Sequence, residues 1–362
     1  MKKTLIALAV VAMVSTAASA TVLYEKDGTK LDLDGRMHFE LRNDSGQRSD
    51  LRDIGSRVRV RAYHDLAEGF KVFGGVELRF SNGSGAVDAI GGNLRTHRLF
   101  LGLSQKDVGT LTFGRQLHLG DHIPKANYTY DGGGNIFFDA HKKAAHFMSN
   151  KFEGFRFAAD YYFGQANKAN GLSSGTTGWD EGQGYGVGLF YDNTFGDFGV
   201  RFGSGYSIVT QSASGLEQDQ YKLKRGGIGL EVKYDVLRVG FDWAFGRVSK
   251  QGVESGNIGF QKIAGYKASL HKNDRFLVGV KVDVTEQNAV YGQYYFAKGK
   301  KADPSVEALK MRGWMLGVDH KFNKKLVAYV EGGKGKVTQG GRVLNANEKA
   351  NYRIAVGARM LF

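Results

Sequence analysis

The sequence predicts an all-β chain that closes into a transmembrane antiparallel β-barrel of about sixteen strands. Three observations predict it. From Lys30 to Arg42, the apolar or small residues Leu31, Leu33, Gly35, Met37, Phe39 and Leu41 take every odd position, and a charged residue or His38 takes every even one. Successive strand side chains point to opposite faces, so this is a strand with one apolar and one ionic face. Similar alternation recurs between turns rich in Gly, Asn and Asp, whereas helical periodicity never persists beyond a turn or two. Only two prolines, Pro124 and Pro304, interrupt 362 residues, as expected where ladders need nearly every backbone N–H. A soluble β-sandwich would alternate as well, but sixteen polar faces need water, which a barrel of this size holds in its lumen.

Taken in order, the chain opens with Lys2 and Lys3, an apolar run from Leu5 to Val14, and Ala18-Ser19-Ala20. This is the pattern of a cleaved export signal, with the mature chain expected from Thr21. Nothing after it approaches the roughly 20 consecutive apolar residues of a membrane-spanning helix. Strands follow at 29–43 and at 53–66, where Arg57, Arg59 and Arg61 alternate with Val58, Val60 and Ala62. The next are expected at 70–82, 93–105, 109–117 and 144–152. In the strand at 155–165, Phe155, Phe157, Tyr161 and Phe163 share one face, as in a lipid-facing aromatic girdle. After 183–193, 198–210 and 222–234, the strand at 237–248 repeats the device with Leu237, Val239, Phe241, Trp243 and Phe245. The series ends with 275–285, 289–297, 310–320, 326–337 and 350–362, the last carrying Tyr352, Ile354, Val356, Ala358, Met360 and Phe362 on one side.

Residues 258–270 alternate too, through Phe260, Ala264, Tyr266, Ala268 and Leu270. Single-chain bacterial barrels have even strand counts, so this stretch reads as an external loop, with an eighteen-strand barrel as the alternative. Short connections at 67–69, 106–109, 153–154 and 322–325 interleave with long polar ones near 44–52, 83–92, 118–143, 166–182 and 211–221. Short turns on one rim and long loops on the other are the barrel pattern.

Lys and Arg number 50 against 36 Asp and Glu, a formal charge of +14. Such a balance raises nucleic acid as a partner, but an exported chain rarely meets it, and the cations lie on the ionic faces of strands. No nucleic-acid partner is expected. Arg36, Arg42, Arg57, Arg59, Arg61, Arg79 and Arg95 all fall on inward positions, against Asp32, Asp34, Glu40 and Glu77. Charged rings in a low-dielectric wall focus the field, so a weak anion preference is expected.

The chain has no Cys, which excludes thiolate chemistry and a disulfide scaffold. His118, Asp121 and His122 have a spacing that suits a metal only on a helix; on an external loop they read as solvated, and neither metal nor cofactor is expected. The glycine-rich stretches 82–85 and 182–188 precede no plausible helix, so they read as turn and strand glycine rather than phosphate cradles. A barrel hydrolase needs a serine with an oriented base, and His38, His64, His97 and His271 lie on scattered strands with no such partner, so no enzyme is expected. A structural or adhesive barrel is the other alternative, although small barrels of that kind have about eight strands and filled lumens.

The stretches Tyr24 to Gly35, Leu94-Arg95-Thr96-His97-Arg98 leading to Leu101-Gly102-Leu103, Val108 to Gln116, Gly317-Val318-Asp319-His320 and the terminal Phe362 occur in a specific order and spacing. In these the chain resembles the general trimeric porins of Gram-negative outer membranes, on their Haemophilus-type branch. The resemblance implies a homotrimeric, water-filled outer-membrane channel for passive diffusion of ions and small hydrophilic solutes. It implies that the third external loop, here about 117–143, folds into the lumen as a constriction. Acids of that loop, Asp121, Asp131 and Asp139, would face a basic wall at Arg36, Arg57 and His97. The family commonly has arginine at the position of His97, and Arg95 would stand in for it. Lys125, Lys142 and Lys143 oppose the loop's acids, and Gly132 to Phe138 replace the enteric Pro-Glu-Phe-Gly-Gly signature. Arg115 is implied at the trimer contact, with Asp88 as its acid on a neighbour's second loop. Phe362 is implied as an assembly signal for periplasmic chaperones and the barrel-assembly machinery, with outer-membrane lipid and lipopolysaccharide as further partners.

Overall fold

A computed structural model describes residues 20–81, 90–131, 136–137, 140–164, 182–212, 220–256, 260, 263, 265–345 and 349–362. Sixteen strands form the wall: β1 Thr29–Asp44, β2 Arg57–Asp65, β3 Phe70–Ser81, β4 Asn93–Gln105, β5 Gly109–Leu117, β6 Ala140–Ser149, β7 Phe155–Tyr162 and β8 Gly184–Phe195, then β9 Phe198–Ser212, β10 Gln220–Tyr234, β11 Leu237–Val248, β12 Lys272–Asp283, β13 Asn288–Lys300, β14 Leu309–Lys321, β15 Leu326–Gln339 and β16 Asn351–Leu361. Each pairs antiparallel with the next, and β16 returns to β1 with Arg353 opposite Asp44 and Leu361 opposite Arg36. Every wall strand therefore has two neighbours, and the barrel closes. No helix among the described residues is long and apolar enough to cross a membrane.

Closure uses one strand that the alternation did not announce. Thr21–Lys26 pairs with the lower part of β1, Thr21 opposite Leu33, and so continues the edge that β16 leaves. At the joint, Gly35 N–H donates to Phe362 O at 2.9 Å and Phe362 N–H donates to Gly35 O at 3.2 Å. A Cβ on Gly35 would collide with the Phe362 ring, so this position needs glycine. Two further short strands, Asp50–Asp53 and Arg342–Val343, extend the ladder at the long-loop rim against β1 and β15.

The described residues of 258–270 add no wall strand. Of the described ones, Phe260 and Leu270 abut inward-facing Gly299 and Ile263 abuts Gly313, so the apolar spacing there serves packing against the inner wall. The strand β6 begins at Ala140, earlier than expected, because Leu117 pairs with Ala140 and Gln116 with His141. Lys142 and Lys143 thus belong to a wall strand instead of the constriction loop, and Lys143 Nζ donates to Gly164 O at 2.6 Å.

Between β3 and β4 the register slips: Glu77 faces Arg98, but Leu78 faces Thr96. His97 is the extra residue of this β-bulge, and a one-residue slip exchanges the two faces of a strand. Arg95 opposite Arg79 and Arg98 opposite Glu77 both point inward as a result, whereas unbroken alternation would have turned Arg98 outward.

The outer surface is largely apolar, with Leu99, Leu101, Phe155, Phe157, Val278, Leu316 and Ile354 all exposed. Lysine or arginine on such a face costs about 2–4 kcal/mol at mid-membrane depth and about 0–1 near the interfaces. Among the described residues, outward cations are accordingly concentrated at the long-loop ends of β10–β15: Lys222, Lys224, Arg247, Lys272, Lys298, Lys300, Lys310, Arg312, Lys334 and Lys336. Among the described residues of these six strands the one outward acid is Asp274, which Arg247 grips at 2.7 and 2.8 Å. The outward faces of β1–β9 carry only Arg115 and Lys143 as described cations.

Candidate functional site

The segment after β5 turns into the barrel and runs along its inner wall. His118 caps a single helical turn, α1 Leu119–His122, its Nδ1 accepting from Gly120 N–H at 3.4 Å, and Pro124 ends it. From there the backbone N–H groups are taken one after another by inward side chains of the wall. Asp160 of β7 accepts from Leu119, Asp242 of β11 from Lys125 and Ala126, Gln293 of β13 from Tyr128, and Glu331 of β15 from Tyr130 and Asp131. The phenol groups of Tyr128 and Tyr130 donate to Glu231 at 2.8 Å and Asp319 at 3.2 Å. Buried backbone donors need partners, and an inward carboxylate supplies one where no neighbouring strand can.

Glycines make room for this path. A Cβ at Gly186 or Gly205 would meet the Leu119 side chain at 2.5 or 2.6 Å, one at Gly240 would meet Ala126 Cα at 2.5 Å, and at Gly229 and Gly279 it would overlap the carbonyl oxygens of Ile123 and Ala126. The glycines of β8–β12 thus form a trough for the loop, a role that a reading as turn and strand glycine does not capture. At its far end Asp131 accepts from Arg42 at 2.9 Å and Arg353 at 3.3 Å, linking the loop to β1 and β16.

Opposite this trough stands the ionic wall of β1–β4. Arg59 and Arg61 both hold Asp34, while Arg57 at 3.3 Å, Arg79 at 2.5 Å and Arg98 at 3.6 Å share Glu77. Arg36 donates to Ile54 O and Gly55 O, and Arg42 also holds Glu40. Arg95 is exposed towards the long-loop rim. His97 gives its carbonyl to Arg115 Nε at 3.2 Å, with Arg115 on the outward side of β5 opposite exposed Leu99. Asp88 and Asp139 lie outside the described residues, as does the export signal through residue 19.

Two cavities, about 480 and 540 Å³, flank the loop and share Asp121, Pro124, Lys125 and Arg201. The first is lined by Lys71, Arg98, Lys125, Arg156 and Arg201 against Asp121 and Asp192, with Tyr63, Phe73 and Phe100 between them. The second is lined by Lys125, Arg201, Arg238, Lys281 and Arg359 against Asp121 and Glu231. Each therefore has five cations for two acids. Burial, with Arg201 beside it, lowers the Lys125 ammonium to about 8, and burial beside His146 holds His122 down to about 3.

Arg98, Arg156, Arg201, Arg238, Lys281 and Arg359 did not figure among the expected wall cations. All but Arg98 follow from the same inward parity once it is applied beyond the fourth strand: Phe155 and Phe157 face out, so Arg156 faces in. The spacing of His118, Asp121 and His122 does not produce a metal site. His118 and His146 turn to Asp160, His122 stacks on His146, and Asp121 faces the cavities. Among the described residues no three His, Asp or Glu side chains are arranged to hold a metal ion.

Residues 5–340 match a family model described as Gram-negative porin. A major outer membrane protein of Pasteurella multocida strain Pm70 is 35% identical, the match covering 93% of this chain and 94% of that protein. Among solved structures, OmpT of Vibrio cholerae, described in a trimer form, superimposes with a TM-score of 0.66 at 17% identity, over 93% of this chain and all of that one. An anion-selective porin from Comamonas acidovorans gives a TM-score of 0.65 at 17% identity, over 92% of this chain and all of the other.

Proposed function

Because this chain belongs to the Gram-negative porin family, we infer that its channel favours small anions and works as a homotrimer. The protein is an outer-membrane porin, a channel for passive diffusion of ions and small hydrophilic solutes. The observation that carries the anion preference is the shared lining at Lys125: on both sides of the loop, five cations face two acids. Fixed charges in a narrow, low-dielectric passage raise the local concentration of their counter-ions. Screening over about 8 Å at physiological ionic strength keeps the preference weak.

The trimer reading is supported by the outer sector of β1–β9, whose described outward cations are Arg115 and Lys143 alone. A neighbour's Asp88 is the acid assigned to Arg115. Export through the leader at residues 1–20 and delivery by periplasmic chaperones and the barrel-assembly machinery, with Phe362 as the signal, complete the reading. Lipid and lipopolysaccharide surround it. The reading assigns the chain no catalytic role, which its membership of the porin family supports.

The test is single-channel recording in a planar bilayer under a tenfold salt gradient. A reversal potential of the sign set by the anion, with openings in steps of three, supports both parts. A cation-signed potential would remove the anion preference, and openings in single steps would remove the trimer.

A further inference from the structure

Between the ionic wall of β2–β4 and the short-turn rim, the lumen carries three aromatic rings that a preference for small anions does not require. Tyr63, Phe73 and Phe100 follow the same inward parity as the charged residues of their strands, with Tyr63 opposite Phe73 and Phe100 opposite Gly75. Tyr63 and Phe73 stack with centroids 6.0 Å apart, and Phe73 meets Phe100 edge-on at 6.2 Å. Each phenylalanine lies over a glycine of the neighbouring strand: a Cβ on Gly102 would meet Phe73 Cζ at 2.5 Å, and one on Gly75 would meet Phe100 Cζ at 3.0 Å. Glycine thus lets the rings lie down on the wall, with Tyr63 and Phe100 only half-buried. They stand outside the buried apolar clusters of the barrel and line the first cavity, about 480 Å³, whose other walls bring Arg98, Arg156 and Arg201. That volume lies in the range of small-molecule sites, about 300–1,000 Å³.

We propose that this cavity is a subsite for aromatic carboxylates, the flat ring of the solute packing on Tyr63 and Phe100 and its carboxylate turned to the arginines. A guanidinium pairs with a carboxylate through two parallel hydrogen bonds, and it also stacks on ring faces. Arg201 is available for this, since 51% of its side chain stays exposed while it holds Asp192 at 3.6 Å and Glu231 at 3.3 Å. Chloride, or a saturated acid of the same charge, meets the cations without gaining a ring-to-ring contact; an aromatic acid gains both. Such contacts between rings add about two- to tenfold in affinity beyond what buried area gives. The proposal deepens the reading of this chain as an anion-preferring channel and rests on it.

The experiment is bilayer recording of the full-length protein in potassium chloride at neutral pH, with benzoate, cyclohexanecarboxylate and benzamide added in turn and the concentration that halves the current read for each. Benzoate is expected to block at a concentration about two- to tenfold lower than cyclohexanecarboxylate, which has its charge without its ring, and benzamide, which has the ring without the charge, to block least. Equal block by the two acids overturns the part given to the rings, and equal block by benzamide overturns the part given to the arginines; both comparisons use the unaltered protein. In Tyr63→Leu/Phe100→Leu the two acids should block alike, and a conducting variant that keeps the preference for benzoate overturns the site. The reversal potential under a salt gradient is read on the same channels: an anion-signed potential without discrimination between the acids defeats this proposal alone, whereas a cation-signed potential defeats the reading beneath it.

Discussion

Asp242 holds two consecutive amides of the loop that crosses the lumen, accepting from Lys125 N–H at 2.7 Å through Oδ1 and from Ala126 N–H at 3.1 Å through Oδ2. One carboxylate on β11 thus fixes the backbone of Lys125, one of the four residues that both cavities share.

Removing that carboxylate frees the loop where it matters most. Hydrogen bonds to a charged group contribute about 1.5–3 kcal/mol each, so removing both in Asp242→Ala should lower the stability of the folded form by about 3–6 kcal/mol. It should also raise current noise. Heat titration of folded protein on gels and bilayer recording check both, and a variant that melts and conducts like the unaltered protein would refute the tether.

The glycine trough makes a second prediction. A methyl group at Gly279 or Gly229 would fall on the carbonyl oxygen of Ala126 or Ile123, which backbone cannot yield cheaply. Gly279→Ala and Gly229→Ala should displace the loop and change unitary conductance by a measurable fraction. Gly292→Ala, whose Cβ would meet only the end of the Leu316 side chain at 2.7 Å, should leave it unaltered.

Lys125 gives the preference a pH dependence. Its ammonium titrates near 8, lowered chiefly by burial. Below that pH the cation is present; as pH rises through it, the proton leaves and the shared lining loses a positive charge. Anion preference should therefore decline between about pH 7 and pH 9, the interval in which a group of this pKa changes charge. Reversal potentials across that range test it, and Lys125→Gln should abolish the step.

Position decides which arginines matter. Arg98 lines the first cavity, whereas Arg57 and Arg59 do not. Arg98→Gln combined with Lys125→Gln should move the reversal potential towards cations by more than Arg57→Ala combined with Arg59→Ala. Equal shifts would mean that selectivity is set elsewhere in the lumen.

At the outer surface, Arg115→Ala should lower the temperature at which the proposed trimer dissociates on gels. Dissociation at an unaltered temperature would exclude Arg115 from the contact.

The wall was legible because lipid on one side and water on the other impose a strict period of two. The same strictness hid Arg98: one extra residue at His97 exchanges the faces of β4, and nothing in Leu94 to Leu101 marks a bulge. Nothing in the sequence marked Asp160, Asp242 and Glu331 as tethers, because their partners are backbone amides more than 40 residues away in sequence. Gly205 and Gly229 could not be told from ordinary strand glycines until the loop was laid on them. The strand Thr21–Lys26 was missed because its residues are exposed on both faces and show no alternation in burial.

The pairing of β16 with β1, Arg353 against Asp44, joins residues more than 300 positions apart. Such a seam cannot be stitched progressively during synthesis. Until β16 arrives, the sheet presents two raw margins, each a row of unmatched amides and carbonyls that another copy could pair with. Loop-closure entropy makes so distant a junction slow to form. The chain therefore passes through a stage at which concentration is dangerous and escort is useful, and substitutions at Gly35 should be felt first as lost yield of assembled protein and only secondarily in the current it carries.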